Sequence, residues 1–126
     1  KEALIGVAIG TTSQQLASSL IAPTTQPKVF NSNEDAVQAL KAKQIDALVV
    51  DLPTALYLSA AVIDNGTIIG QLADSTGGEQ FGLVLQKGSK LTAPVSAAMD
   101  ELREAGRLAA LSKTWLSESI DVPVLQ

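Results

Sequence analysis

The residues best suited to chemistry are one short run and one single acid. Gly10-Thr11-Thr12-Ser13 follows the apolar stretch Ile5–Ile9, where a helix is expected to begin. A glycine turn, three hydroxyls and the N–H groups at the positive end of a helix dipole suit a carboxylate or another small anion. Asp51 closes a second run, Asp46-Ala47-Leu48-Val49-Val50. An ionised carboxylate there accepts hydrogen bonds from an ammonium group. Both features have a plainer reading as helix caps, since Ser, Thr and Asp are favoured N-caps and Pro53 suits a first helical turn. The residue types leave both readings open.

Other chemistries lack the residues they need. The 126 residues contain neither cysteine nor histidine, which removes thiol nucleophiles, disulfides, zinc fingers and His-based acids or triads. Ser13, Ser18 and Ser19 therefore have no histidine to activate them, and a Ser–Lys dyad has no motif behind it. The run is not a nucleotide P-loop, because it lacks the lysine and Gly6 and Gly10 stand too close together. No catalytic residue, metal ligand or cofactor is expected. Net charge is −4 and the basic residues are scattered singly, so a nucleic-acid partner, which needs clustered Lys and Arg, is not expected. Aromatics at 3% leave little for base or sugar stacking. Asp46 reads as a solvated strand start, Glu79 and Gln80 as an exposed connection, and Met99 and Trp115 as core.

The elements that must position these residues follow from periodicity. With 46% hydrophobic and 17% charged residues, the chain is expected to fold, as one ordinary domain or as a lobe plus part of another. Ile5–Ile9 reads as a buried strand. Thr11 or Thr12 then caps a helix over about 13–21, with Leu16 and Leu20 on one face and Pro23 as its stop. Lys28–Phe30 is a second strand. Ser32-Asn33-Glu34-Asp35 resembles a capping box opening a helix through Lys43, with Ala36, Val37 and Leu40 inward. Asp46–Val50 is a third strand, and the helix after Pro53 carries Ala55, Leu56 and Leu58. Strands and helices alternating with short links predict a parallel sheet with right-handed crossovers. The expected order puts the first strand between the second and third. Its carboxyl end and that of the third then flank the topological switch point where open α/β sheets bind ligands. That arrangement carries Gly10–Ser13 and Asp51 to one sheet edge.

The second half differs. Residues 67–72 and 81–86 read as strands joined by a polar segment over 73–80 that contains Gly77-Gly78. Val95, Ala98, Met99 and Leu102 form a helical stripe that Gly106 ends. Leu108, Leu111 and Trp115 continue on a shorter helix, and 117–126 reads as a loosely ordered tail. No apolar run is long enough to span a bilayer and no signal peptide begins the chain, so any targeting sequence is expected to have been removed or to lie upstream.

Four segments, "IGVAIGTTSQQLASSLI", "VFNSNEDAVQALKAKQIDALVVDLPTALYL", "FGLVLQKGS" and "AAMDELREAGRLAALSKTWL", taken in order and spacing, resemble type II periplasmic solute-binding proteins. The similarity is to the family-3 group, the amino-acid receptors of ABC importers. It implies an α/β fold, a three-layer sandwich with a mainly parallel central sheet. Residues 1–72 would be the second lobe, 73–80 the crossover, 81–116 the C-terminal part of the first lobe and 117–126 a tail. By position, the resemblance implies that Thr12 binds a ligand α-carboxylate through hydroxyl and backbone N–H, with Thr11 adjacent, and that Asp51 takes the α-ammonium.

The main body of the first lobe, which in this family supplies an arginine for the carboxylate, is expected to precede Lys1. The chain alone is then expected to bind amino acids weakly or not at all. Val95, Met99 and Leu102 are expected either to repack on the remaining lobe or to bury themselves in a homodimer formed by exchange of C-terminal elements. The implied function is an extracytoplasmic receptor, periplasmic or lipid-anchored, that serves an ABC permease and is not an enzyme. Two alternatives stand beside it. One is a cyclohexadienyl dehydratase-like enzyme, for which only Asp51 and Glu79 are candidate general acids. The other is a ligand-sensing domain without a transport role.

Overall fold

All four residues of Ile5–Ala8 (β1) are buried, which follows from the strand's central place in its sheet. Lys28–Phe30 (β2) pairs with it on one side and Ala47–Leu48 (β3) on the other, both parallel, in the order β2-β1-β3. A strand covered on both faces reads as an unbroken apolar run, and this is the order expected from the sequence. The computed structural model describes residues 2–72, 81–117 and 122–125. The chain forms two compact units, Lys1–Ala73 with Val122–Gln126, and Asp74–Asp121.

The ladder with β3 is short, but the two strands run together for longer. Asp46 and Ala47 donate their N–H groups to the Leu4 carbonyl at 2.8 and 3.3 Å, and Val49 donates to the Gly6 carbonyl at 3.1 Å. Asp46 is exposed, as expected, but it also has structural work. Its Oδ2 accepts the Leu4 N–H at 2.8 Å and fastens the start of β1. Gly6 has a steric role, because a Cβ there would strike Ile45 Cδ1 and lie 3.1 Å from Phe30 Cε2. Ile5, Val7 and Ala17 form the core cluster, with Ile21 and Val49 packed against it.

Three helices accompany the sheet. Thr12–Leu16 (α1) runs on as a π-helical turn to Ile21. Asn33–Lys41 (α2) is capped by Ser32, whose Oγ accepts the Asp35 N–H at 3.1 Å, and buries Ala36, Val37 and Ala39. Leu52–Tyr57 (α3) also continues as a π-helical turn, to Val62, and buries Leu58. The second helix stops two residues short of the expected Lys43. Lys43 takes the left-handed conformation (φ 56°), its N–H donates to the Leu40 carbonyl at 3.0 Å, and the Gln44 N–H donates to the Ala39 carbonyl at 2.8 Å. This pair of bonds is the Schellman ending, with lysine where glycine is usual.

Two expectations for the second half need correction. Of residues 67–72 only Gln71–Leu72 (β4) forms a strand, and its parallel partner is Val124–Leu125 (β5), from the segment read as a loosely ordered tail. Residues 81–86 form no strand; Phe81 is 76% and Val84 97% exposed. Their composition favours extension, but a strand exists only where a neighbour takes its N–H and C=O groups. The segment over 73–80, with Gly77, Gly78, Glu79 and Gln80, lies outside the described residues, as do 118–121.

Thr92–Glu104 (α4) is ended by Gly106 at φ 69°, as the sequence predicts, and Arg107–Ser112 (α5) follows, extended by a π-helical turn to Ser117. Neither α4 nor α5 buries a residue. Val95 and Met99 are half-buried, Leu102 is exposed, and Trp115, expected in a core, is 68% exposed. The apolar stripe is real, but none of its residues is fully buried. The architecture is thus mixed α/β, built on a small parallel sheet.

Candidate functional site

Gly10 opens the run in the left-handed conformation (φ 73°), with no atom within 4 Å of where a Cβ would sit. Its glycine character therefore serves the backbone angle and not a close approach. Thr11, not Thr12, caps α1, settling which of the two does so. Its Oγ1 accepts the Gln14 N–H at 3.1 Å and donates to the Ala8 carbonyl at 2.8 Å. Gln14 then reaches back, its Oε1 accepting the Gly10 N–H at 2.9 Å. These bonds clamp the run from both ends. Thr12 begins the helix and is exposed, whereas Ser13 is buried.

Gln14 was not among the residues singled out from the sequence, although its signal was present. Thr11-Thr12-Ser13-Gln14 has the Thr-x-x-Gln spacing of a capping box, in which the fourth residue's side chain returns to a backbone N–H near the cap. The clamp uses the single hydroxyl proton of Thr11 and the N–H of Gly10. Thr12 and Ser13 occupy the first turn of α1.

Asp51 caps α3. Its Oδ1 accepts the Thr54 N–H at 3.0 Å and its Oδ2 the Thr54 hydroxyl at 2.8 Å. The carboxylate is half-buried. A carboxylate offers about four acceptor positions, so two such bonds leave capacity for a ligand donor. The plain capping reading of Thr11 and of Asp51 is thus realised in the fold, and it does not consume the acid.

The sheet brings the two features to one edge. Ile5 pairs with Ala47 and Gly6 with Leu48, an offset of 42. Gly10 stands two residues past the end of β1 and Asp51 three residues past the end of β3. Both strands are parallel, so the run and the acid leave the sheet at the same end. Among the described residues no group of three or more acidic, His or Cys side chains is arranged for a metal ion. No helix among them is long and apolar enough to cross a membrane.

No protein-family model matches the chain, and no solved structure matches it either. Among curated proteins, glutamate receptor 1.2 of Arabidopsis thaliana is 30% identical over 91 residues, which is 72% of this chain and 10% of the receptor. The chain therefore spans about a tenth of the length of the relative it matches.

Proposed function

We propose that this chain is a ligand-binding module for an amino acid or a similar small zwitterion. The observation that carries the reading is the shared sheet edge. Adjacent parallel strands β1 and β3 lead into an anion-suited run at residues 10–13 and an ammonium-suited acid at Asp51. In this reading Gly10 sets the turn, Thr11 holds its shape, Thr12 and Ser13 meet the ligand carboxylate, and Asp51 accepts from its ammonium. The likeness to a protein named a glutamate receptor supports an amino acid as the ligand class. The chain acts by binding and release and not by catalysis.

The larger setting follows from the resemblance to type II solute-binding proteins. Residues 1–72 belong to the second lobe of a receptor of this kind, a three-layer α/β sandwich, and residues 81–116 return to the first lobe. Closure of the lobes on the ligand is the signal, read outside the cytoplasm by an ABC permease. A second reading is favoured by the name of the relative: the module senses the ligand for an attached receptor segment and does not deliver it for import. A permease gene beside this sequence supports the first, and a channel or kinase segment in the same polypeptide supports the second. The unburied stripe of α4 is covered by the first lobe or, in its absence, by a second copy of the chain.

Calorimetric titration with a pool of common amino acids tests the module itself. The chain is measured beside a version extended by the upstream residues of its gene product. Heat from the longer version alone, lost in Asp51→Ala, supports a two-lobed receptor. Tight binding by the 126-residue chain supports a site complete in this chain or across a dimer. No heat from either version overturns the reading.

A further inference from the structure

The chain has three asparagines, Asn31, Asn33 and Asn65, and only Asn65 precedes a glycine. Asn65 lies just past the π-helical turn ending at Val62, in a four-residue turn closed by the Gly66 N–H donating to the Ile63 carbonyl at 2.9 Å. Two constraints select this residue pair. Asn65 has φ 58°, a left-handed angle that asparagine tolerates better than most side chains. A Cβ on Gly66 would lie 2.9 Å from the Ile63 carbonyl oxygen and 3.1 Å from Ile63 Cβ, so only glycine fits. The turn thus calls for the dipeptide whose side chain and following nitrogen react most readily with each other. Asn65 is also exposed to water.

We propose that Asn65 is a self-modification site, at which the chain converts its own amide to a carboxylate without an enzyme. Solvent base removes the Gly66 N–H proton, the nitrogen attacks Asn65 Cγ, and the Cγ–Nδ2 bond breaks. The amide nitrogen leaves as ammonia, taking up the proton, and a five-membered succinimide remains. Water then opens the ring at either carbonyl. One opening yields aspartate; the other yields isoaspartate, with the backbone rerouted through the side chain. Nothing is oxidised or reduced, and water is the only co-reactant. Glycine at the attacking position offers no side chain to obstruct ring closure.

One native feature opposes the reaction. The Gly66 N–H is held by the Ile63 carbonyl, and the nitrogen attacks only when that bond opens. A single turn bond in an exposed segment opens locally and often, without global unfolding. Opening also releases Asn65 from its left-handed angle. Asn31 and Asn33 serve as controls within the same molecule. They are followed by Ser32 and Glu34, which carry side chains, and Asn33 is in the first turn of α2.

The modification changes the net charge from −4 to −5, and the isoaspartate form adds a methylene to the backbone after the helix. Asp51 stands at the other end of the helical stretch over residues 52–62. The converted and unconverted chains should therefore differ in charge and in the local turn but not at Asp51.

Incubating the full chain at neutral and mildly alkaline pH, followed by peptide mass mapping and isoaspartate detection, tests this. Asn65 is expected to convert several-fold faster than Asn31 and Asn33 in the same sample and faster at the higher pH. A matching acidic charge variant is expected to accumulate, and to be absent from Asn65→Gln, whose longer side chain closes the ring poorly. Equal rates at the three asparagines overturn the proposal. So does conversion of Asn65 only in denaturant, or an acidic variant that persists in Asn65→Gln.

Discussion

Both carboxylate oxygens of Asp51 are held by one residue, Thr54, through its N–H at 3.0 Å and its hydroxyl at 2.8 Å. A helix cap and a proposed ligand acceptor thus coincide in one side chain, and the two roles separate by substitution. Serine caps a helix about as well as aspartate but carries no charge. Asp51→Ser is expected to keep stability within about 0.5 kcal/mol, whereas Asp51→Ala loses about 1 kcal/mol with the cap. In the version of the protein that binds amino acids, both are expected to abolish the heat of binding. Retained binding in Asp51→Ser would remove Asp51 from the site while leaving its capping role intact.

The clamp on residues 10–13 gives a second test. Gln14→Ala removes the acceptor of the Gly10 N–H, and Gly10→Ala forces a Cβ into a left-handed angle with no neighbour to meet it. Each is expected to cost about 1 kcal/mol, the first for a lost hydrogen bond and the second for backbone strain. Chemical denaturation measures both. A cost near zero for Gly10→Ala would mean that the turn relaxes to another conformation.

At the end of α2, Lys43 occupies the left-handed position of a Schellman ending. Replacing it with glycine relieves roughly 1–2 kcal/mol of strain and restores about 0.5–1 kcal/mol of chain freedom to the unfolded state. Relief is the larger effect, so Lys43→Gly is expected to raise stability by about 0.5 kcal/mol, seen as a higher melting temperature. A lower one would show that the lysine side chain contributes more than its backbone angle costs.

Gly6 presents the opposite case, since its constraint is space. A methyl there meets Ile45 Cδ1 and Phe30 Cε2 in the middle of the sheet. Gly6→Ala is expected to destabilise by about 1–3 kcal/mol, as overpacked cores do. Ile45→Val beside it removes the clashing methyl and should recover part of the loss. Additive losses in the double variant would place the strain elsewhere.

The unburied residues of the second unit bear on association. Phe81, Val84, Leu111 and Trp115 are all more than half exposed, a display that favours contact with another apolar surface. Light scattering at rising concentration is expected to show self-association of the 126-residue chain. A monodisperse monomer at high concentration counts against a homodimer.

Elements whose signals are local are legible in the chain before it folds. Apolar runs bounded by glycine, serine and proline marked β1, β2 and β3, and short links between them implied the order β2-β1-β3. Ser32 and Gly106 marked a helix start and a helix end because caps depend on residues within one turn. Gln14 was equally legible in its Thr-x-x-Gln spacing. Tertiary structure decided what depends on a distant partner. Leu72 pairs with Leu125 across more than fifty intervening residues, and nothing in the periodicity of either segment names the other. Residues 81–86 look like a strand and α4 looks like a buried helix, yet the first pairs with no strand among the described residues and the second buries none of its residues. An extended backbone needs a neighbour for its hydrogen bonds, and an apolar stripe needs a second surface to leave water. Local sequence encodes the readiness for both, and only the fold supplies the partner.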